Sequence, residues 1–329
     1  MQKTTARAYS NIALVKYWGK QDAGLRLPMN SSVAIALDQI YTTTTVEFGD
    51  QYSKDLVEID GDQFSDEESQ RVIDHLDRVR KLVGIHLKAK VVTKNNFPKG
   101  AGAASSASGF AALSLAATKA AGINLSQKDL SILARFGSGS ASRSITGGVS
   151  IWYTGQNSQD SFAEAIELPK EWGLRVLLVF VGNLKSKKVS TTEGMARTKA
   201  TSPYYPVAVK EAGKNLQRLI NSIKDKNWSE FGQVVEDECY RLHILCMTTR
   251  PNLLYWSNET VAIFQKLLNL RDHGITGYFT VDAGPHVHII CQQSDADQIK
   301  SDLGKITGVN KIVDCGISGP AQTIDQHLF

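Results

Sequence analysis

The chain is poor in cysteine, and the four it has form no pattern. Cys239, Cys246, Cys291 and Cys315 show no C-x-x-C spacing, which argues against a structural zinc site and points to reduced core thiols in a cytoplasmic protein. No apolar run approaches the ~20 residues needed to span a bilayer. Met1 to Tyr9 lacks the apolar core of a secretion signal, so none is expected. Excess charge is also scarce. A net charge of +4 over 329 residues does not suggest nucleic acid, though it suits one basic pocket for an anionic ligand. Internal repeats and low-complexity stretches are absent. A Walker A loop is absent too, because no Gly-Lys-Ser/Thr follows the chain's glycine-rich stretch at the required spacing.

The composition that remains, 42% apolar and 21% charged, is that of an ordinary globular chain with room for one large or two medium domains. Its most telling segment runs Pro98-Lys99-Gly100-Ala101-Gly102-Ala103-Ala104-Ser105-Ser106-Ala107-Ser108-Gly109. A helix pattern over 107–121 follows directly. Gly100 and Gly102 permit close backbone approach to a ligand, and Ser105 and Ser106 place hydroxyls where the helix should begin. Helix starts expose unpaired N–H groups and the positive end of the peptide dipole, so this segment reads either as a phosphate site or as a tight loop feeding a buried helix.

Around it, 42–48 and 87–93 read as strands. Ser65 with Glu68 forms a capping-box pattern, followed by Val72, Leu76, Val79 and Leu82 at helical spacing. Ser126 with Asp129 starts another helix, which should end near Gly137. Residues 145–153 read as strand, and Leu168 to Gly173 is the best boundary. A strand buried on both faces is expected at 175–181, with helices at 207–223, 229–242 and 257–273. Short strands at 278–281 and 287–291 flank the turn Asp282-Ala283-Gly284-Pro285. Strands mixed with paired helices, without strict alternation, indicate an α+β fold.

Five groups could carry chemistry. Asn11 to Lys20 (Asn-Ile-Ala-Leu-Val-Lys-Tyr-Trp-Gly-Lys) puts Lys16 and Tyr17 where a strand leaves its sheet. These donors suit phosphate oxygens, and a solvated strand end is the alternative. Gly137-Ser138-Gly139-Ser140-Ala141-Ser142-Arg143-Ser144 offers backbone N–H groups and hydroxyls for an anion nest, with one arginine fork. Lys185 to Thr192 is either a solvated basic loop or an arm that closes over polyphosphate. Asp282 could orient a substrate hydroxyl or cap its own turn through an Asx hydrogen bond. His286 and His288 alternate to one face, which is weak evidence for a metal, and no metal site is assigned.

Together, Lys16-Tyr17-Trp18-Gly19-Lys20, the loop 95–109, Gly137 to Ser144, Lys187 to Met195 and Phe279 to Pro285 resemble the mevalonate diphosphate decarboxylase family of the GHMP kinase superfamily. The match runs in order along nearly the whole chain, and the combination is far more specific than any piece. The resemblance implies a GHMP kinase-like fold, with a ribosomal-protein-like N-terminal domain (1–172) and a ferredoxin-like C-terminal domain (173–329) and the active site between them. It implies ATP and Mg²⁺ as cofactors, a homodimer, and a place in isoprenoid biosynthesis. The implied reaction phosphorylates the 3-hydroxyl of 5-diphosphomevalonate and then expels phosphate and CO2 to give isopentenyl diphosphate. Decarboxylation of the monophosphate, or a kinase that stops at phosphoryl transfer, are the rival activities.

By motif position the resemblance makes Asp282, Lys16 and Arg143 catalytic. It sets Tyr17, Trp18, Gly19, Lys20, Ser138, Gly139, Ser140, Arg143, Thr191 and Thr192 on the substrate, and Asn95, Gly100, Gly102, Ser105, Ser106 and Lys187 on ATP, with Lys188 an alternative to Lys187 near the γ-phosphate. Three positions depart from the family pattern. Ala103 replaces a leucine, His286 an asparagine, and Thr192 stands where many bacterial members carry arginine.

Overall fold

The computed structural model describes residues 1–63, 67–97, 105–182 and 189–329. Ser65 of the capping-box pattern, and Gly100, Gly102, Lys187 and Lys188, lie outside the described residues.

Two sheets organise the described chain. The larger has eight strands. Its main path runs Gln322–Ile324, Thr4–Val15, Ser32–Gly49, Lys88–Asn95, Leu56–Ile59, Asp62–Gln63, and Val149–Trp152 joins the front of Ser32–Gly49 and carries Ala163–Ile166 on its far side. All its pairings are antiparallel except Leu56–Ile59 with Lys88–Asn95. The second sheet has four antiparallel strands in the order Gly277–Val281, Val287–Gln292, Leu174–Val181, Val309–Cys315. Helices separate its first strand in sequence from its second, and the helix Gln293–Leu303 separates its third from its fourth. That β-α-β-β-α-β order is ferredoxin-like.

The helix after the glycine-rich loop, Ser105–Ala120, is sunk into the first half of the molecule because its residues are small. Ala107, Ala111, Ala112, Ala116 and Ala117 are fully buried against the larger sheet. Two of its buried hydroxyls bond within the helix, Ser114 Oγ donating to Phe110 O at 2.6 Å and Thr118 Oγ1 to Ser114 O at 2.8 Å, while Ser108 Oγ meets Thr42 Oγ1 of the sheet at 2.7 Å. The next helix, Gln127–Gly137, starts where expected, with Ser126 accepting from the Asp129 N–H at 3.1 Å.

The stretch 145–153 is not all strand. Ile145 belongs to a short helix, Ala141–Thr146, and the strand covers only Val149–Trp152. Gly147 and Gly148, both at positive φ (64° and 61°), end the helix and reverse the chain into the sheet. The basic run also ends differently from its reading as a loop. Ser190 caps a helix, Thr191–Thr201, by accepting from the Glu193 N–H at 3.2 Å.

The halves share a core. Ile12, Leu14 and Val33 of the larger sheet pack in one cluster with Val176, Leu178 and Ile290 of the smaller and with Phe231, Val234 and Val235 of the helix Trp228–Thr248. Odd-numbered residues of the central strand, Leu177, Val179 and Val181, face a separate cluster under the helices Asn258–Asp272 and Gln293–Leu303. The strand is therefore buried on both faces, as its unbroken apolar run requires.

Candidate active site

Lys16 leaves the end of Thr4–Val15 and is 1% exposed. A buried ammonium must be paired. Here its Nζ donates to Asp282 Oδ1 at 2.7 Å and to the Ala13 carbonyl at 2.7 Å. Its backbone is clamped as firmly. The Lys16 N–H donates to Glu238 Oε2 at 2.7 Å, and its carbonyl accepts from Asn30 Nδ2 and Arg241 Nη2, each at 3.0 Å. Glu238, fully buried on Trp228–Thr248, also takes Arg241 Nε at 2.6 Å and Asn215 Nδ2 at 2.9 Å. The lysine of one half is thus positioned by a charged network from the other.

Asp282 follows Gly277–Val281, where Gly284 N–H donates to the Asp282 carbonyl at 2.8 Å and tightens the turn. The Asx alternative does not describe this carboxylate. Among the described residues its recorded hydrogen bond is the one to Lys16. Burial acts to raise the Asp282 pKa, but Lys16, then His288 and Arg143, outweigh it and hold the carboxyl at about 2. Its side chain is 29% exposed, so an ionised oxygen remains available to the cleft.

That cleft is a cavity of about 270 Å³. It brings together Lys16, Tyr17, Trp18, Lys20, Ser106, Ser138, Gly139, Ser140, Arg143, Thr191, Thr192 and Asp282. Arg143 is 3% exposed and donates to Ser32 Oγ, while its Nε lacks a partner. Burial lowers its pKa to about 10, partly offset by Asp282. Tyr17 stands edge-on to Trp152 at 4.8 Å, and burial raises its phenol. Hydroxyls form a rail between helix start and nest: Ser106 Oγ to Ser138 Oγ at 3.2 Å, then Ser138 Oγ to Ser140 Oγ at 3.2 Å.

A second cavity of about 130 Å³ adjoins the first, with Arg71 and Ser106 lining both. It is walled by Asn95, Ser105, Gly109, Phe110 and Asp60. Asp60, at φ 55°, accepts from the Asn95 N–H and Nδ2, each at 2.8 Å. The pocket thus sits at the N-terminus of Ser105–Ala120, where free N–H groups favour anions.

Two residues that the resemblance sets on the substrate also have structural roles. Gly19 does not line the cavity. It lies at φ 125° and a Cβ there would fall 1.8 Å from Tyr205 Oη, so it is needed for a tight approach to the helix Tyr205–Lys224. Trp18 lines the wall but spends its indole N–H on Thr198 Oγ1 at 3.1 Å. The histidines are not set up as a pair of ligands: His286 Nδ1 accepts from the Val181 N–H at 3.2 Å, and His288 is 1% exposed, lowered by burial to about 4 with Asp282 opposing. Among the described residues no three His, Cys, Asp or Glu side chains gather as a metal site. The sequence reading did not assign Asn11, Arg26, Arg71, Ser190 or Met195, which also line the cavity. Only Ser190 carried a local signal, its three-residue spacing to Glu193.

A buried lysine–aspartate pair under a cationic cleft, beside the start of a buried helix, defines the class on this scaffold: an enzyme of GHMP kinase-like fold. Residues 8–163 match the diphosphomevalonate decarboxylase-like N-terminal domain, and residues 177–326 match the mevalonate 5-diphosphate decarboxylase C-terminal domain. The chain belongs to the mevalonate diphosphate decarboxylase family. It is 36% identical to the mevalonate diphosphate decarboxylase of Staphylococcus aureus, with a TM-score of 0.94 over 98% of each chain. A solved complex of MDDEF with MVAPP, AMPPCP and magnesium is 37% identical, with a TM-score of 0.92 over 98% of this chain and 99% of that one. The phosphomevalonate decarboxylase of Haloferax volcanii is 30% identical over 98% of both chains.

Proposed function

We propose that the protein catalyses ATP-dependent decarboxylation of (R)-5-diphosphomevalonate, yielding isopentenyl diphosphate, ADP, phosphate and CO2. The observation that carries this reading is the Lys16–Asp282 pair, 2.7 Å apart, in one cavity with Arg143 and Ser106. Asp282 accepts the 3-hydroxyl hydrogen bond, orients that oxygen, and takes its proton as the oxygen bonds to the γ-phosphorus of ATP while the bridging P–O bond breaks and ADP leaves with its electron pair. A carboxylate held near 2 is a weak base, so its main contribution is orientation. Lys16 keeps it ionised and faces the charge that develops on the transferring group. Phosphate then leaves carbon 3 with its bonding electrons. The bond between the carboxylate carbon and carbon 2 breaks, and its electron pair forms the new double bond as CO2 departs. Arg143 holds the carboxylate until then.

We assign the second cavity to the nucleotide. Ser105, Ser106 and Asn95 supply donors and acceptors there, and Gly100, Gly102 and Lys187 belong to the same proposal. The hydroxyls of Ser106 and Ser138 and the Asp282 carboxylate are hard oxygen donors, a set that fits Mg²⁺ arriving on nucleotide phosphates. Bound there, Mg²⁺ supplies charge neutralisation of the phosphate oxygens. A cytoplasmic homodimer, and a division at 172/173 where the chain changes sheet, complete the reading; sedimentation tests the dimer.

Lys20, Arg26, Arg71 and Arg143 form no salt bridge with any described acid, and Lys16 is matched by Asp282. Such an excess of positive charge suits a ligand carrying both a diphosphate and a carboxylate. The uncharged Thr192 and the Haloferax volcanii relative favour a second reading, decarboxylation of the monophosphate. Side-by-side turnover with both substrates, labelled at the carboxylate, decides. We expect labelled CO2 and ADP in equal amounts from the diphosphate. ADP without CO2 means a kinase, and turnover of the monophosphate alone means the second reading.

A further inference from the structure

Arg26 ends the turn 23–26 of a small hairpin whose strands are Lys20–Asp22 and Leu27–Pro28. Its φ is 52°, in a region a bulky side chain rarely visits. The turn is pinned around it. Leu25 N–H donates to Asp22 Oδ1 at 2.8 Å, and the Leu25 carbonyl accepts from Arg135 Nε at 3.1 Å. Strain held in place by such ties is a pointer to function.

The half-buried Arg26 lines the cleft beside Lys20, Arg71 and Tyr17, and no described acid forms a salt bridge with it. Burial and the neighbouring Arg71 both lower its pKa, and burial, Arg26 and Arg71 lower that of Lys20. Three cations crowded together, none salt-bridged to a described acid, repel one another, and a bound anion relieves that repulsion. Thr192 lines the same cavity at the start of Thr191–Thr201 and offers a hydroxyl but no charge.

We propose that Arg26 is a specificity-determining residue whose guanidinium, with Lys20, grips the outer phosphate of the substrate, supplying from the hairpin the cation that position 192 lacks. This rests on the diphosphate reading above. A planar fork suits two phosphate oxygens at once.

Steady-state kinetics of the intact enzyme with 5-diphosphomevalonate, 5-phosphomevalonate and ATP test it, using wild type, Arg26→Ala and the double variant Arg26→Ala/Thr192→Arg. Arg26→Ala should raise KM for the diphosphate by about 10–100-fold, and KM for the monophosphate and for ATP by less than about threefold. Thr192→Arg should recover most of the loss, which a merely structural role would not permit. Equal losses for both substrates, unchanged kinetics, or no recovery overturn the proposal. Wild type that uses only the monophosphate removes the diphosphate reading and this proposal together. Normal wild type with an unaffected variant removes this proposal alone.

Discussion

At the scale of single residues, the chemistry depends on keeping Asp282 charged inside protein. Its carboxyl sits near 2, below the ordinary value of about 3.9, so it is ionised throughout the neutral range. Asp282→Asn should keep ATP binding, followed by fluorescence of a nucleotide analogue, while ADP formation and CO2 release fall together by about 10²–10⁴-fold. Substantial CO2 release by this variant contradicts the assigned role. Lys16→Met removes the largest influence lowering that carboxyl and leaves burial, which raises it. The sign is therefore upward: the acid limb of the pH–rate profile should move toward neutral pH in Lys16→Met, and an unmoved limb would show that Lys16 does not act through Asp282.

At the scale of elements, the site is held by the way helices meet strand ends. Glu238 on Trp228–Thr248 binds the Lys16 N–H and both Arg241 Nε and Nη2. Glu238→Ala leaves Arg241 buried without its counter-ion, a loss of about 3–5 kcal/mol. Urea titration should report a lower midpoint, with Glu238→Gln intermediate. Elements with local signals were legible in the sequence. Ser126 with Asp129 marked a helix start, and the apolar run of Leu174–Val181 marked a doubly buried strand. The front of Ser32–Gly49 was not, because Val33, Ala34, Ile35, Ala36 and Leu37 are all buried and give no alternation to read. Lys16, Tyr17, Arg143 and Asp282 stood out through the motifs around them. Arg71 did not, because an arginine turned into a cleft from the helix Glu67–Val83 has the same neighbours in sequence as one turned to water.

At the scale of the molecule, both halves contribute to one hydrophobic cluster, from Ile12 and Val33 to Val176, Ile290 and Phe231. Separating the halves would expose that surface, at roughly 25 cal/mol for each Å² of it. Calorimetry should therefore give a single cooperative unfolding transition, with van't Hoff and calorimetric enthalpies in agreement. Two resolved transitions would show that the halves melt independently.

The strand Gln322–Ile324 lies against Thr4–Val15 in the larger sheet, and beside it Thr5 Oγ1 and His327 Nδ1 meet at 2.7 Å across 322 positions. Contacts between such distant parts of a chain close slowly, because the intervening loop must first give up its freedom. During synthesis Thr4–Val15 keeps one edge bare until Gln322–Ile324 has been translated. A bare edge is a template for foreign strands. That edge is thus open to mispairing while more than 300 intervening residues are added, a hazard fixed by topology whatever the final stability.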